Sequence, residues 1–216
     1  MECMVETLIV IGILIALQIQ NWNEKRLDRI EERYLLEELV DNLNLEAERL
    51  EEGLSGISRQ LKMVEVIQGY FKDRSYTQED LETHMRMIQA SFSFEPITSA
   101  YESMKATEAG FSNRVLKSAL VNYYERKQPT LMFNLESHSD FNRREVRPMI
   151  IKHVAAHKYR ERVVFKDIED PLLKETILGQ TVILENLLLR IRTHVDGCME
   201  SNRELLILAE QELEGM

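Results

Sequence analysis

Residues 36–64 read LEELVDNLNLEAERLEEGLSGISRQLKMV. Within them Leu36, Val40, Leu43, Ala47, Leu50, Leu54, Ile57, Leu61 and Val64 recur alternately four and three residues apart. A mean apolar spacing of about 3.5 residues belongs to a helix with one continuous buried seam. The spacing predicts a long amphipathic helix over about residues 24–72, packed against later parts of the chain. Gly53 and Gly56 fall between seam positions and weaken the helix by about 1 kcal/mol each relative to Ala, enough to mark a bend. Glu31, Glu32, Glu37, Glu38, Glu46, Glu48, Glu51 and Glu52 fall on the other faces and read as a solvated acidic surface. A cation-collecting surface is the sharper alternative.

Toward the C-terminus the signals are again helical. Thr77 with Asp80 is an N-cap arrangement opening a helix over about 78–91. Pro96 breaks the chain before a short helix over about 99–107, and Gly110 ends that unit. Ser112 or Asn113 caps a long helix over about 113–158, through Leu116, Leu120, Tyr123 and Tyr124, with a break or kink at Pro129. Asp170-Pro171 starts a last helix over about 171–212. Its apolar face is formed by Ile177, Val182, Ile183, Leu187, Leu188, Ile191, Val195, Leu205 and Leu208, interrupted near Gly197. Only 8 Gly and 4 Pro in 216 residues fit this pattern. The expected fold class is all-α, with residues 24–216 forming one antiparallel helical bundle.

Toward the N-terminus, residues 5–24 read VETLIVIGILIALQIQNWNE, with an unbroken apolar run from Leu8 to Leu17. Residues 1–23 are expected to form a membrane helix, although ten clean residues are short of the roughly 20 that a span needs. Trp22 is a candidate interfacial aromatic, and Lys25 and Arg26 are placed to snorkel to headgroups. Glu6 falls at the edge of the hydrocarbon. Gly12 and Ala16 form a small-xxx-small pair that permits close helix approach, and Gln18 offers an interhelical hydrogen bond. Glu6, Gly12, Ala16 and Gln18 are therefore the candidate association residues of a homo-oligomer. Gly12 is the one Gly or Pro between Leu8 and Glu52, so this segment is expected to continue into the following helix.

The block from Ile11 through Gln18-Ile19-Gln20-Asn21-Trp22-Asn23-Glu24 resembles an uncharacterised family of bacterial single-pass membrane proteins. A looser match covers Ala100-Tyr101-Glu102-Ser103-Met104-Lys105 and Leu116 through Tyr123-Tyr124. The resemblance implies a single-pass protein of the bacterial inner membrane, with no activity to carry over. Family members usually begin with a basic segment ahead of the position of Glu6, which implies a longer start and a periplasmic large domain. Read without the family, Lys25, Arg26, Arg29 and Arg33 after the apolar run place that domain in the cytoplasm.

The sequence offers little catalytic chemistry. A net charge of −10 argues against a nucleic-acid partner, which would require a basic face. Cys3 and Cys198 form no CxxC and no disulfide framework. On a helix over 113–158, His153 and His157 share one face with Glu161 beyond them, the weak candidates for a metal. Arg160 and Arg162 oppose that reading, and an ordinary polar face is expected instead. Tyr101, Tyr123 and Tyr124 read as packing residues rather than a ligand cage. No phosphate-binding loop or nucleophile elbow is present, so neither a cofactor nor enzymatic activity is expected. The expected function is a membrane-anchored helical scaffold or interaction protein whose partners are the lipid bilayer, its own copies and an unidentified protein. The alternatives are a sensory or ligand-binding module coupled to the membrane, or an ion-conducting oligomer using Glu6 and Gln18.

Overall fold

The computed structural model describes residues 2–106, 113–157 and 162–216, with side chains described from residue 11 onward. The protein is 84% helical and belongs to the all-α class. Its axis is α1, Glu2–Asp73, which is unbroken over 72 residues and so about 110 Å long. Continuity through residues 20–50 and through Gly53 and Gly56 agrees with the expected junction and removes the expected bend. α1 stops where Arg74 enters the left-handed region at φ 58° and Ser75 N donates to Gly69 O.

The remaining elements are α2 (Gln78–Met85), α3 (Ser99–Ala106), α4 (Arg114–Asn122), α5 (Gln128–Phe141), α6 (Arg147–His153), β1 (Val154–His157), β2 (Val163–Phe165) and α7 (Pro171–Glu214). Thr77 and Asp80 form a reciprocal capping box at the start of α2. Asn113 caps α4 by accepting from Val115 N and Leu116 N, and Asp170 caps α7 by accepting from Leu172 N. α2 ends at Met85, short of the expected 91, and the chain turns through residues 86–89.

The expected single helix over 113–158 is three helices joined by two five-residue π segments, Tyr123–Lys127 and Asn142–Val146. Each π segment ends one residue before the residue preceding a proline, Pro129 or Pro148. Proline lacks a donor and its ring meets the carbonyl four residues back. The wider turns, closed by Gln128 N to Tyr123 O and Arg147 N to Asn142 O, move those carbonyls aside so the helix passes both prolines. Regular helix then ends at His153. Val154–His157 pairs antiparallel with Val163–Phe165, a small hairpin that the all-α expectation missed.

α7 runs antiparallel to α1, because Asn202 reaches Leu43 while Glu185 reaches Gln68. α5 runs antiparallel to α7, with Lys127 beside Gly197 and Gln180 bonded to Glu145 O. The buried line of α1 is Leu36, Leu39, Leu43, Glu46, Leu50, Gly53, Ile57, Gln60, Val64 and Ile67. Five of these, Leu36, Leu43, Leu50, Ile57 and Val64, belong to the expected seam. The other four residues of that seam, Val40, Ala47, Leu54 and Leu61, are only half-buried and lie one residue aside of the true line. The buried line of α7 is Ile177, Thr181, Leu184, Leu188, Ile191, Val195, Cys198, Asn202, Leu205 and Ala209. Val182 and Ile183, expected on this face, are about half exposed. Both departures have one cause. Polar or small residues occupy true core positions, so a search for apolar residues slides onto the flank.

From residue 11 to 34 no side chain of α1 is buried, and every one but Glu32 is exposed, including Ile13, Leu14, Ile15, Leu17, Ile19 and Trp22. Among the described residues no helix is long and apolar enough to cross a membrane.

The two inner glycines of α1 differ in surroundings. A Cβ at Gly53 would lie 2.4 Å from the Phe92 ring, whereas at Gly56 the nearest atom is 3.9 Å away. Gly56→Ala is therefore expected to stabilise by about 0.5–1 kcal/mol. Gly53→Ala is expected to destabilise by about 1 kcal/mol because Phe92 must leave its seat. Urea denaturation of both variants checks the opposite signs, and adding Phe92→Ala should remove most of the Gly53→Ala penalty.

Candidate functional site

The core of the bundle is polar where a hydrophobic layer would be expected. Glu46 occupies a seam position of α1 between Leu43 and Leu50 and is 0% exposed. The acidic-surface reading is therefore wrong for this residue. Its Oε1 accepts from Ile97 N at 2.7 Å and from Gln128 Nε2 at 3.0 Å. Its Oε2 accepts from the Tyr123 hydroxyl at 2.9 Å and from Gln128 Nε2 at 3.1 Å. Asn202 Nδ2 donates to Leu43 O at 2.9 Å and to the Tyr123 hydroxyl at 3.3 Å. One carboxyl thus joins α1, the segment before α3, the first π segment and α5, and Tyr123 extends the link to α7.

Local sequence explains each donor. Tyr123 opens the π segment and Gln128 closes it, so the widened turn that admits Pro129 also presents both side chains inward. Pro96 has no N–H, and the next amide, Ile97 N, goes to Glu46. The segment around Pro96 lies antiparallel along one face of α1. Ser99 bonds Glu38 and Asn42, Ile97 bonds Glu46, Glu95 O accepts from Arg49, and Phe92 covers Gly53. Positions 38, 42, 46, 49 and 53 share a helical stripe, so the strap is held along about four turns.

Burial raises the Glu46 pKa above 4.5, and the hydrogen bonds from Ile97, Tyr123 and Gln128 together with Arg49 pull against that shift. Burial likewise raises the hydroxyls of Tyr123 and Tyr124, with the Glu46 charge adding to it. The Cys198 thiol, on the same level of α7, is pushed up to about 11 by burial, which leaves it a protonated packing group. Tyr101 stacks on Tyr124 with centroids 4.6 Å apart, and Tyr124 meets Tyr123 edge-on at 5.0 Å. The Tyr101 hydroxyl donates to Glu125 at 2.7 Å, with Lys105 Nζ 3.3 Å from the same oxygen. The three tyrosines pack as expected, in a row of ring contacts from the Glu46 partner Tyr123 to Tyr101, while the buried Tyr124 hydroxyl has no hydrogen-bond partner.

The other expected site residues are dispersed. Because α6 ends at His153, His157 lies on β1 and the one-face geometry of His153 and His157 does not form; Glu161 lies outside the described residues. His153 is buried, with Nδ1 3.3 Å from Asp170 Oδ2, and so ties the end of α6 to the cap of α7. Among the described residues no group of three or more His, Cys, Asp or Glu is arranged to hold a metal. Gly12, Ala16, Gln18, Trp22, Lys25 and Arg26 are all exposed on the free end of α1, and Gly12 has nothing within 4 Å of a Cβ position. The Arg26 guanidinium lies 6.0 Å from the Trp22 ring centre. The side chain of Glu6 lies outside those described.

Fold and site together define an all-α protein organised on one long helix around a buried, fully bonded carboxyl. The chain belongs to a family of unknown function (DUF6090), whose model matches residues 5–187. No curated protein and no solved structure matches it. Glu46, Tyr123 and Gln128 fall inside the matched region, and Asn202 lies beyond it.

The raised pKa of Glu46 fixes the sign of its pH effect. Just above pH 4.5 the folded protein keeps a proton that the unfolded chain has released. This group's contribution to stability is therefore full below pH 4.5 and declines as pH rises through the folded-state value. Glu46→Gln, whose amide fits the site once Gln128 turns its oxygen inward, is expected to flatten that decline. Glu46→Leu leaves the Tyr123, Gln128 and Ile97 donors without an acceptor and is expected to cost about 3 kcal/mol or more. Urea titrations of the three proteins at several pH values measure both effects.

Proposed function

We propose that this is a membrane-anchored, non-catalytic scaffold or interaction protein, in which α1 carries the bundle on a helix that enters the bilayer. The observation carrying this reading is the free end of α1, where Ile11, Ile13, Leu14, Ile15, Leu17 and Ile19 are about half exposed or more among the described residues. These side chains point all around the helix, which suits lipid better than a single docking groove. The described apolar part is shorter than a full span. The sequence before it, Leu8-Ile9-Val10, extends the apolar run. Trp22 and Arg26 at its inner end fit the headgroup level.

Self-association through the same segment is part of the proposal. Gly12 and Ala16 lie one turn apart on an open surface, and Gln18 shares the segment. Following the family resemblance, the bacterial inner membrane is the proposed location, with the bundle on the periplasmic side. A sensory role is a second reading, supported by one feature: the buried Glu46 lies on the same uninterrupted helix as the apolar end.

Flotation with phosphatidylcholine vesicles tests the anchor. The full chain is expected to float with the vesicles in high salt, and Leu14→Lys with Ile15→Lys to leave it in the soluble fraction with unchanged helix content. Gly12→Ile with Ala16→Ile should lower the oligomer mass in detergent without releasing the protein from vesicles. A full chain that stays soluble and monomeric beside vesicles would contradict both parts.

A further inference from the structure

Past Trp22 the exposed surface of α1 changes character. Leu27, Ile30 and Tyr34 are each more than half exposed, and they follow one another three and four residues apart on one face of the helix. Asn23 and Gln20 continue the same alternation toward the N-terminus, and the position after them is Ala16. The stripe Gln20, Asn23, Leu27, Ile30, Tyr34 therefore has the repeat of about 3.5 residues that makes a coiled-coil seam. Gln20, Leu27 and Tyr34 fall at a, and Asn23 and Ile30 fall at d. No side chain from residue 23 to 34 is buried. A helical segment draws most of its stability from packing of its apolar face, and the bundle does not cover this one.

The face stays open beside the bundle. Continued past Tyr34 in the same spacing, the stripe runs through Glu37, Asp41, Asn44, Glu48 and Glu51, all of them exposed. The buried line of α1 lies on the other side of the helix, so a neighbour on the stripe meets solvent-facing positions. The same continuation limits the contact. A second copy would bring its own acidic residues against Glu37, Asp41, Glu48 and Glu51, and like charges end the pairing near Tyr34.

The flanks identify the occupant. Arg26 and Arg33 hold the g positions, and Glu24, Glu31 and Glu38 hold the e positions. In a parallel coil each g residue faces the e residue five positions further on in the neighbour, so Arg26 meets Glu31 and Arg33 meets Glu38. In an antiparallel coil g faces g and e faces e, which brings like charges together. Within one helix, residues five apart are not neighbours, so these pairs serve only between chains. Their present contacts are local: Arg33 forms an exposed pair with Glu37, the Arg26 guanidinium lies 6.0 Å from the Trp22 ring centre, and Glu38 Oε1 accepts from the Ser99 hydroxyl.

We propose that residues 20–34 of α1 pair in parallel with the same residues of another copy of this chain, as a short coiled coil between the apolar end and the bundle. This deepens the self-association proposed above. It rests on the stripe and its flanking charges, and not on lipid or on the Gly12–Ala16 pair.

Disulfide trapping of the full-length protein in detergent, in a Cys3→Ser background, tests the pairing, since Cys198 is buried. Leu27→Cys, Ile30→Cys and Tyr34→Cys are each expected to give linked pairs on mild oxidation, whereas Lys25→Cys, Asp28→Cys and Glu32→Cys, on the outer face, are not. Charge exchange supplies a second readout that leaves the stripe intact. Arg26→Glu and Glu31→Arg alone should each weaken association about tenfold, and the two together should restore it to within about twofold. Linkage that is absent, equal at all six positions or confined to one stripe position overturns the proposal. So does a double variant no better than the single changes. The linkage pattern should survive Gly12→Ile, which separates it from close contact of the apolar segments. Trapping and flotation also fail separately: a chain that links at the stripe but stays off vesicles has the coil without the anchor.

Discussion

The carboxyl of Glu46 is the constraint on which the rest of the bundle depends. It sits at the centre of a helix seam, and its two oxygens accept from donors in three other parts of the chain. Withdrawing a carboxylate from water is expensive, and the expense is tolerable only when every lone pair facing protein finds a donor. The converse also holds. Ile97 N, the Tyr123 hydroxyl and Gln128 Nε2 are themselves removed from water, so each needs Glu46 in place. A hydrophobic seam would allow α7 and α5 to slide by a turn along α1. The polar centre admits one register, in which Asn202 meets Leu43 and Gln128 meets Glu46.

That requirement explains features that look like defects when taken singly. The π segment at Tyr123–Lys127 passes Pro129 and turns both Tyr123 and Gln128 toward the same carboxyl. The strap through Pro96 spends its first available amide on Glu46 and anchors itself with Ser99 and Glu95 on the same stripe of α1. Gly53, one heptad from Glu46, has no side chain because Phe92 of that strap occupies the space.

The long elements were legible because they obey periodicity and capping. Asp170-Pro171 and the Thr77–Asp80 pairing mark helix starts by local chemistry, and of the two cap candidates Ser112 and Asn113 it is Asn113 that caps α4. The continuity of α1 followed from its lack of helix breakers. The true seam was not legible, for the reason that makes it interesting. Glu46, Gly53 and Gln60 hold core positions, so hydrophobic matching drifted to Val40, Ala47, Leu54 and Leu61. A heptad carrying a single Glu between Leu43 and Leu50 was the available signal, and it was absorbed into the surrounding run of surface glutamates. The hairpin at Val154–Phe165 escaped because its strands are four and three residues long, too short for alternation to register. His153 and His157 then fell on different elements.

α1 thus holds three features in line: an apolar free end, the exposed stripe through Leu27, Ile30 and Tyr34, and the buried carboxyl. The most direct test of the central claim is the titration of Glu46 itself, followed by the ¹³C shift of its Cδ in protein labelled at glutamate and assigned with Glu46→Gln. A midpoint above 4.5, moving further up when the Tyr123 donor is removed by Tyr123→Phe, is the result expected of a buried carboxyl held by hydrogen bonds from Tyr123, Ile97 and Gln128. A midpoint at or below 4.5, insensitive to Tyr123→Phe, would mean that Glu46 stands in water and that the polar centre does not organise the bundle.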